Sequence, residues 1–319
     1  MPGSLESVRR DAVRGAGAER GLCFHVIHGS FVDGCGIRTT VFLKGCPLRC
    51  LWCCNPEGQG ALPELKYDAA SCNGCGRCVD ACQAGAITMS GADGRAVIDR
   101  SLCTSCGDCT GACHVGALDF FGEYLTVDEL FEMVRKDDSY YLASGGGVTI
   151  GGGEPLFQPA FTYALMKKCQ ASCIPVAIDT CGYAVTEEQF QILREADLLL
   201  YDVKGLDPAD HLRNTGVSND LMLSNLAKLD DLGKAIIVRI PIIPGLTVTW
   251  SGAADLARFL AQLRSVQQVD LLPYHRYGDI KYERLGRPHE LEAEPDAQEL
   301  AEHVRRMLGS YGMNVQLGG

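Results

Sequence analysis

Short apolar, β-branched runs recur along the chain at Thr39–Lys44, Val148–Ile150, Ile174–Ile178, Leu198–Val203, Ala235–Ile243 and Val269–Tyr274. Runs of this length bounded by Gly, Pro and Asp predict buried strands. The stretches between them carry helix signals instead. Thr126-Val127-Asp128-Glu129 reads as a capping box opening a helix through about Lys136, and Thr186-Glu187-Glu188-Gln189 opens another through about Ala196. Strands that alternate with helices predict a parallel sheet with right-handed crossovers. Six such strands make an α/β chain, a partial (β/α)6 barrel, whose chemistry gathers at the carboxyl ends of the strands.

The alternation breaks between Ala61 and Phe121, where short Cys/Gly/Asp segments stand in two copies: Cys72-x2-Cys75-x2-Cys78-x3-Cys82 and Cys103-x2-Cys106-x2-Cys109-x3-Cys113. That is the spacing of two-cluster bacterial ferredoxins, in which the fourth cysteine of each run crosses to the other cluster. Cys72, Cys75, Cys78 and Cys113 are thus expected to hold one four-iron cluster, and Cys103, Cys106, Cys109 and Cys82 the other; two zinc sites are the competing reading. Gln83 and His114 replace the proline that usually follows the fourth cysteine. The expected organisation is a ferredoxin-like insert over 63–121 within a barrel built from 21–62 and 122–319. Residues 1–20, polar and without periodicity, read as a mobile extension.

Composition narrows the functional classes. The 319 residues carry a net charge of -11, which argues against a nucleic-acid surface. No apolar run reaches the ~18 residues of a membrane span, and Met1 to Arg20 does not resemble a signal peptide. A cytoplasmic chain, a monomer with no membrane or nucleic-acid partner, is expected. In that reducing compartment, seventeen cysteines point to metal ligation rather than disulfides.

The densest chemistry follows the first strand, in Cys46-Pro47-Leu48-Arg49-Cys50-Leu51-Trp52-Cys53. Three thiolates at this spacing can hold three irons of a four-iron cluster and leave the fourth open, as substrate chemistry requires. A zinc knuckle closed by Cys54 is the alternative. The other strand ends are also polar or glycine-rich: Gly151-Gly152-Gly153-Glu154-Pro155, Asp179-Thr180-Cys181-Gly182, Asp202-Val203-Lys204, Arg239 ahead of Pro241, and Pro273-Tyr274-His275. On a strand, Asp202 and Lys204 share one face. Alone, each of these would read as a turn, an ion pair or a core residue. Together they mark one rim.

These motifs resemble the radical S-adenosylmethionine (SAM) enzymes, and within them the glycyl radical enzyme activating enzymes. Asp33-Gly34-Cys35-Gly36-Ile37-Arg38-Thr39 resembles that branch's Asp-Gly-Pro-Gly-Ile-Arg-Thr, with Cys35 at the proline. The insert between cluster loop and second strand is also that branch's arrangement. The resemblance implies three [4Fe-4S] clusters, with SAM's amino and carboxylate groups on the open iron held by Cys46, Cys50 and Cys53. It implies that Gly152, Gly153 and Glu154 form the SAM-binding Gly-Gly-Glu-Pro motif, with Gly151 where serine is usual. Trp52, Cys53, Cys54, Val203, Arg239 and His275 are further implied SAM contacts. Lys204 is assigned to the SAM carboxylate, and Asp202 with Asp179 and Thr180 to a monovalent cation beside it.

The implied activity is reductive cleavage of SAM to methionine and a 5′-deoxyadenosyl radical, which takes hydrogen from a glycine Cα of a partner glycyl radical enzyme. A flavodoxin or ferredoxin is the implied electron donor, acting through the insert. A radical SAM enzyme with a small-molecule substrate and a ferredoxin-type electron-transfer protein are the alternatives. The open three-cysteine site disfavours the second of these, and nothing in the sequence decides the first.

Overall fold

A computed structural model describes residues 19–289, 291 and 296–318. Thirteen strands occur among them: β1 (Arg20–Ser30), β2 (Arg38–Leu43), β3 (Glu64–Tyr67), β4 (Ile87–Met89), β5 (Ala96–Ile98), β6 (Leu118–Phe121), β7 (Glu123–Thr126), β8 (Gly147–Gly152), β9 (Val176–Thr180), β10 (Leu198–Asp202), β11 (Ile236–Ile242), β12 (Val266–Pro273) and β13 (Val315–Leu317). Nine of them form one sheet in the order β13-β12-β11-β10-β9-β8-β2-β1-β7. The six expected strands are its parallel centre, β2 and β8 to β12, paired in sequence order. Their interiors are buried on both faces, as continuous apolar runs such as Ile236–Ile242 require.

Sheet size departs from the sequence expectation. β1 and β7 add an antiparallel edge, and β13 adds a three-residue parallel edge beside β12. In β1, His25 and His28 interrupt the apolar run and stand exposed, and only Gly21–Cys23 and Ser30 are buried, so the segment lacks the signal of a central strand. Of the extension expected over 1–20, residues 1–18 lie outside the described residues, and Arg20 begins β1.

Both expected capping boxes form. Thr126 and Glu129 cap the helix Val127–Val134, and Thr186 and Gln189 cap Glu187–Glu195. Helices pack their apolar stripes on the sheet through Leu130, Leu165, Ile192, Leu226, Leu256 and Val304. Under the amino ends of the strands runs the segment 31–37. It is held by the Ser144 hydroxyl, which accepts from the Ile37 N–H at 2.8 Å, and by the Asp33 carbonyl, which accepts from Thr149 Oγ1 at 2.7 Å.

The insert pairs β3 with β6 and β4 with β5, all antiparallel. Two five-residue helices, Arg77–Ala81 and Asp108–Ala112, pack together and carry Cys78 and Cys109 inward. A separate apolar cluster with Leu65, Ile87, Ala96 and Leu118 surrounds the insert cysteines.

Candidate active site

β2 delivers the chain into the cysteine loop, which neighbouring backbone pins on two sides. Gly45 and Cys46 donate to the carbonyls of Gly58 and Gln59 at 2.8 and 3.3 Å. Arg49 and Leu51 donate to Thr215 and Asn214 at 2.7 and 3.1 Å, which uses carbonyls left free at the end of the helix Pro208–Thr215. Burial pushes the Cys46 thiol up to about 12 and raises Cys50 and Cys53 as well. These thiols are therefore neutral without metal, and cluster binding must displace their protons. Among the described residues, no three His, Cys, Asp or Glu side chains close on a position for a single ion.

The glycine motif at the end of β8 packs against this loop. A Cβ on Gly153 would lie 2.4 Å from the carbonyls of both Gly45 and Gly58, so only glycine fits. Gly153 N–H already donates to Leu43, and Glu154 N–H to Gly45, at 2.8 and 2.7 Å. Both N–H groups are thus engaged within the fold.

Glu154 is 1 % exposed. Its carboxylate accepts from Thr180 Oγ1 at 2.8 Å, from the Cys181 N–H at 2.8 Å and from the Leu156 N–H at 3.2 Å. Burial raises its pKa against these bonds. Its side chain thus ties the end of β8 to the end of β9, while Gly152 and Gly153 are presented between them. Gly151 faces Asp179, whose Cβ would stand 3.0 Å from a Cβ added there.

Asp179, Asp202, Lys204 and Arg239 converge. Lys204 Nζ lies 2.5 Å from Asp202 Oδ2, and Arg239 Nη1 lies 3.2 Å from Asp179 Oδ2 and 4.0 Å from Asp33 Oδ1. Asp33, which the sequence offered only as part of a motif, is a third carboxylate of the network. Its Oδ2 accepts from Ser30 and Thr40 hydroxyls at 2.6 and 2.7 Å. Burial, with Asp202 and Asp33 nearby, pushes Asp179 up to about 7, although Arg239 and Lys204 oppose the shift. Burial also works against the Lys204 and Arg239 cations, yet the facing carboxylates outweigh it and raise both. Val203 N–H donates to the Arg239 carbonyl at 2.8 Å and fixes β10 against β11 here.

The remaining sequence-predicted residues lie around the rim. Trp52 is buried, whereas Cys54 and His275 are exposed, His275 stacking on Tyr277 at 4.3 Å. Sequence reasoning missed the support under the cysteine loop. Lys281 Nζ reaches Asn55 Oδ1 at 2.5 Å and Glu57 Oε1 at 2.9 Å, joining the helix Asp279–Leu285 to the loop.

In the insert, two voids separate the cysteines into two sets. One is lined by Cys72, Cys75, Cys78 and Cys113; the other by Cys82, Cys103, Cys106 and Cys109. The fourth cysteine of each run has crossed to the other set. Four thiol donors in each set fit a four-iron cluster.

Comparison with known proteins places these features in a family. The Radical SAM superfamily profile matches residues 107–258, and a 4Fe-4S dicluster domain profile matches 71–117. The choline trimethylamine-lyase activating enzyme of Oleidesulfovibrio alaskensis is 39 % identical over 93 % of this chain and 98 % of its own. The (2S)-3-sulfopropanediol sulfolyase activating enzyme of Bilophila wadsworthia is 41 % identical over 92 % and 98 %, respectively. For the trans-4-hydroxy-L-proline dehydratase activating enzyme of Clostridioides difficile the values are 40 %, 91 % and 96 %. Similarity that runs through barrel, insert and rim together favours neither a small-molecule radical enzyme nor a simple electron carrier. The chain belongs to the radical SAM activating enzymes of glycyl radical enzymes, oxidoreductases that cleave SAM reductively to methionine and a 5′-deoxyadenosyl radical and so abstract hydrogen from a glycine Cα of their partner.

Proposed function

We propose that this chain performs that activation with three [4Fe-4S] clusters on eleven cysteines, acting on a glycine loop of its partner presented at the open rim. The observation that carries the reading is the division of the cysteines into two crossed sets of four and one loop of three beside Lys204. When bound, the clusters and SAM supply the electron and the radical chemistry. The chain's own residues bind and orient. Gly152 and Gly153 offer backbone acceptors to the SAM ammonium group, held in place by the Glu154 bracket. Lys204 pairs with the SAM carboxylate, and Trp52, Cys54, Val203, Arg239 and His275 border the remainder of the molecule.

A monovalent cation fits between Asp179, Asp202 and the backbone of Thr180, where it relieves repulsion between those carboxylates and that of SAM. Burial of the loop under the helix Asp279–Leu285 limits water around the reacting centre. The protein works as a cytoplasmic monomer with a flavodoxin or ferredoxin as donor; no described helix is long and apolar enough to cross a membrane.

Iron content tests the reading. Anaerobically reconstituted protein should carry about twelve irons, and joint replacement of Cys46, Cys50 and Cys53 by Ala should remove about a third of them with all SAM cleavage. Cleavage that survives in that variant would remove the assignment of the catalytic loop.

A further inference from the structure

The insert is mounted in one direction only. β3 and β6 run side by side away from the barrel, beginning at the pair Glu64 and Phe121. At that end Glu64 Oε2 lies 3.0 Å from the Nζ of Lys44, a buried residue two places before Cys46. A Cβ on Gly122 would lie 2.5 Å from the Lys44 side chain. One step outward, Leu65 and Phe120 line the void of Cys82, Cys103, Cys106 and Cys109. Two steps further, Tyr67 and Leu118 line the void of Cys72, Cys75, Cys78 and Cys113. At a rise of ~3.3 Å per residue, the strand residues that line the two voids stand about 7 Å apart along the ladder.

The helix Asp279–Leu285 ties the cysteine loop to both ends of that ladder. Its start abuts the cysteine loop, where a Cβ on Gly278 would meet Cys54 Cα at 3.1 Å. Its far end meets the insert: Arg284 Nη2 lies 2.9 Å from Asp68, and Arg100 Nη2 donates to the Arg284 carbonyl at 3.0 Å. Arg100 also donates to the Leu65 carbonyl, which places it between barrel and inner void. Arg287 grips Glu64 and donates to the Pro56 carbonyl at 3.0 Å.

We propose that electrons enter the insert at the outer set, Cys72, Cys75, Cys78 and Cys113, and leave for the catalytic loop from the inner set, Cys82, Cys103, Cys106 and Cys109. The proposal rests on the three-cluster reading above and adds a direction to it. Each step moves one electron from a reduced flavodoxin or ferredoxin, which is oxidised by one electron, and no bond forms or breaks. Separation governs the order: the inner set lies against the residues that hold the catalytic loop, and the outer set lies two residues further along β3 and β6, although both sets expose a cysteine, Cys106 and Cys75.

Two variants of the full chain separate the sets. Cys75→Ala and Cys106→Ala should each lower iron content by about a third, to about eight. Low-temperature electron paramagnetic resonance of the dithionite-reduced proteins then reads magnetic coupling to the catalytic cluster. Coupling should persist in Cys75→Ala and vanish in Cys106→Ala; the reverse pattern overturns the order.

A second pair of variants keeps every ligand. Val115→Glu at the outer end should slow reduction by the protein donor on the order of tenfold, about 1.4 kcal/mol, with dithionite reduction unchanged. Leu102→Glu, on the exposed surface beside the inner set, should leave both rates as they were. Slowing by Leu102→Glu alone means that donors engage the inner set and overturns the proposal. Parent protein with about four irons would instead overturn the three-cluster reading itself.

Discussion

Replacing Glu64 by Ala should cost far more stability than replacing its partner Lys44 by Met. Lys44 is 1 % exposed and has two polar partners, the Glu57 carbonyl at 2.5 Å and Glu64 Oε2 at 3.0 Å. Burial lowers its pKa, and Glu64 is the principal group that draws it back up. Gross attraction at that distance is about 5–6 kcal/mol at an effective dielectric near 20. Glu64→Ala strips the carboxylate from a buried ammonium, a change that costs ~3–5 kcal/mol. The same change also strands Arg287, which is partly exposed and can rehydrate. Lys44→Met removes the charge and refills much of the space, so its main loss is one buried carbonyl partner, ~1–3 kcal/mol.

Glu64 then keeps Arg287 and, with a quarter of its side chain in solvent, is left paired and wet. Thermal unfolding at fixed scan rate, followed by circular dichroism and cluster absorbance, should show Glu64→Ala several degrees below Lys44→Met, at roughly 2–4 °C per kcal/mol. The double variant should recover part of the loss. A Lys44→Met protein as unstable as Glu64→Ala would refute the argument that the stranded ammonium is the costly species.

Asp202→Ala should weaken SAM binding, with a loss that changes with the monovalent cation supplied; parent and variant responding alike to cation exchange in calorimetric titrations would eliminate the cation position. Gly153→Ala would drive a Cβ to 2.4 Å from two carbonyls under the cysteine loop, so the variant should lose about a third of its iron and its SAM cleavage. Burial lowers the pKa of His211, whose Nδ1 pairs with the Val217 carbonyl at 2.7 Å. The unfolded chain binds that proton at higher pH than the folded one, so stability present above about 6.5 should fall as pH drops below it. His211→Gln should flatten that part of a melting profile between pH 5 and 7.5; an unaltered slope would exclude His211 as its source.

The central sheet was legible because its signal is local. Ile236–Ile242 needs no distant partner to read as a buried strand, and each capping box lies within four residues. β1 carried no such signal: its pairing with β2 and β7 is decided by partners across the fold, and His25 and His28 break its apolar run. The same divide runs through the site. Cysteine spacing announces how the insert cysteines group, whereas the Glu154 bracket joins residues twenty-six and twenty-seven apart and the Lys281 link to Asn55 spans 226. Asp33 was visible as a motif, but its place in a charge network depends on Arg239, far along the chain on β11.

That network also explains why the rim needs so many charges. Asp33, Asp179 and Asp202 face Lys204 and Arg239, a sum of one negative charge when all are ionised. SAM, with one carboxylate, one ammonium and one sulfonium, carries one positive charge, so the ionised network complements it as a whole. Within that sum, the arrangement separates signs. Lys204 pairs with Asp202, while Arg239 is engaged by Asp179 and Asp33. At Asp179 burial already makes ionisation expensive. Fixing these opposed charges before ligand arrives is what a water-poor site requires, because screening by solvent is then no longer available to settle them.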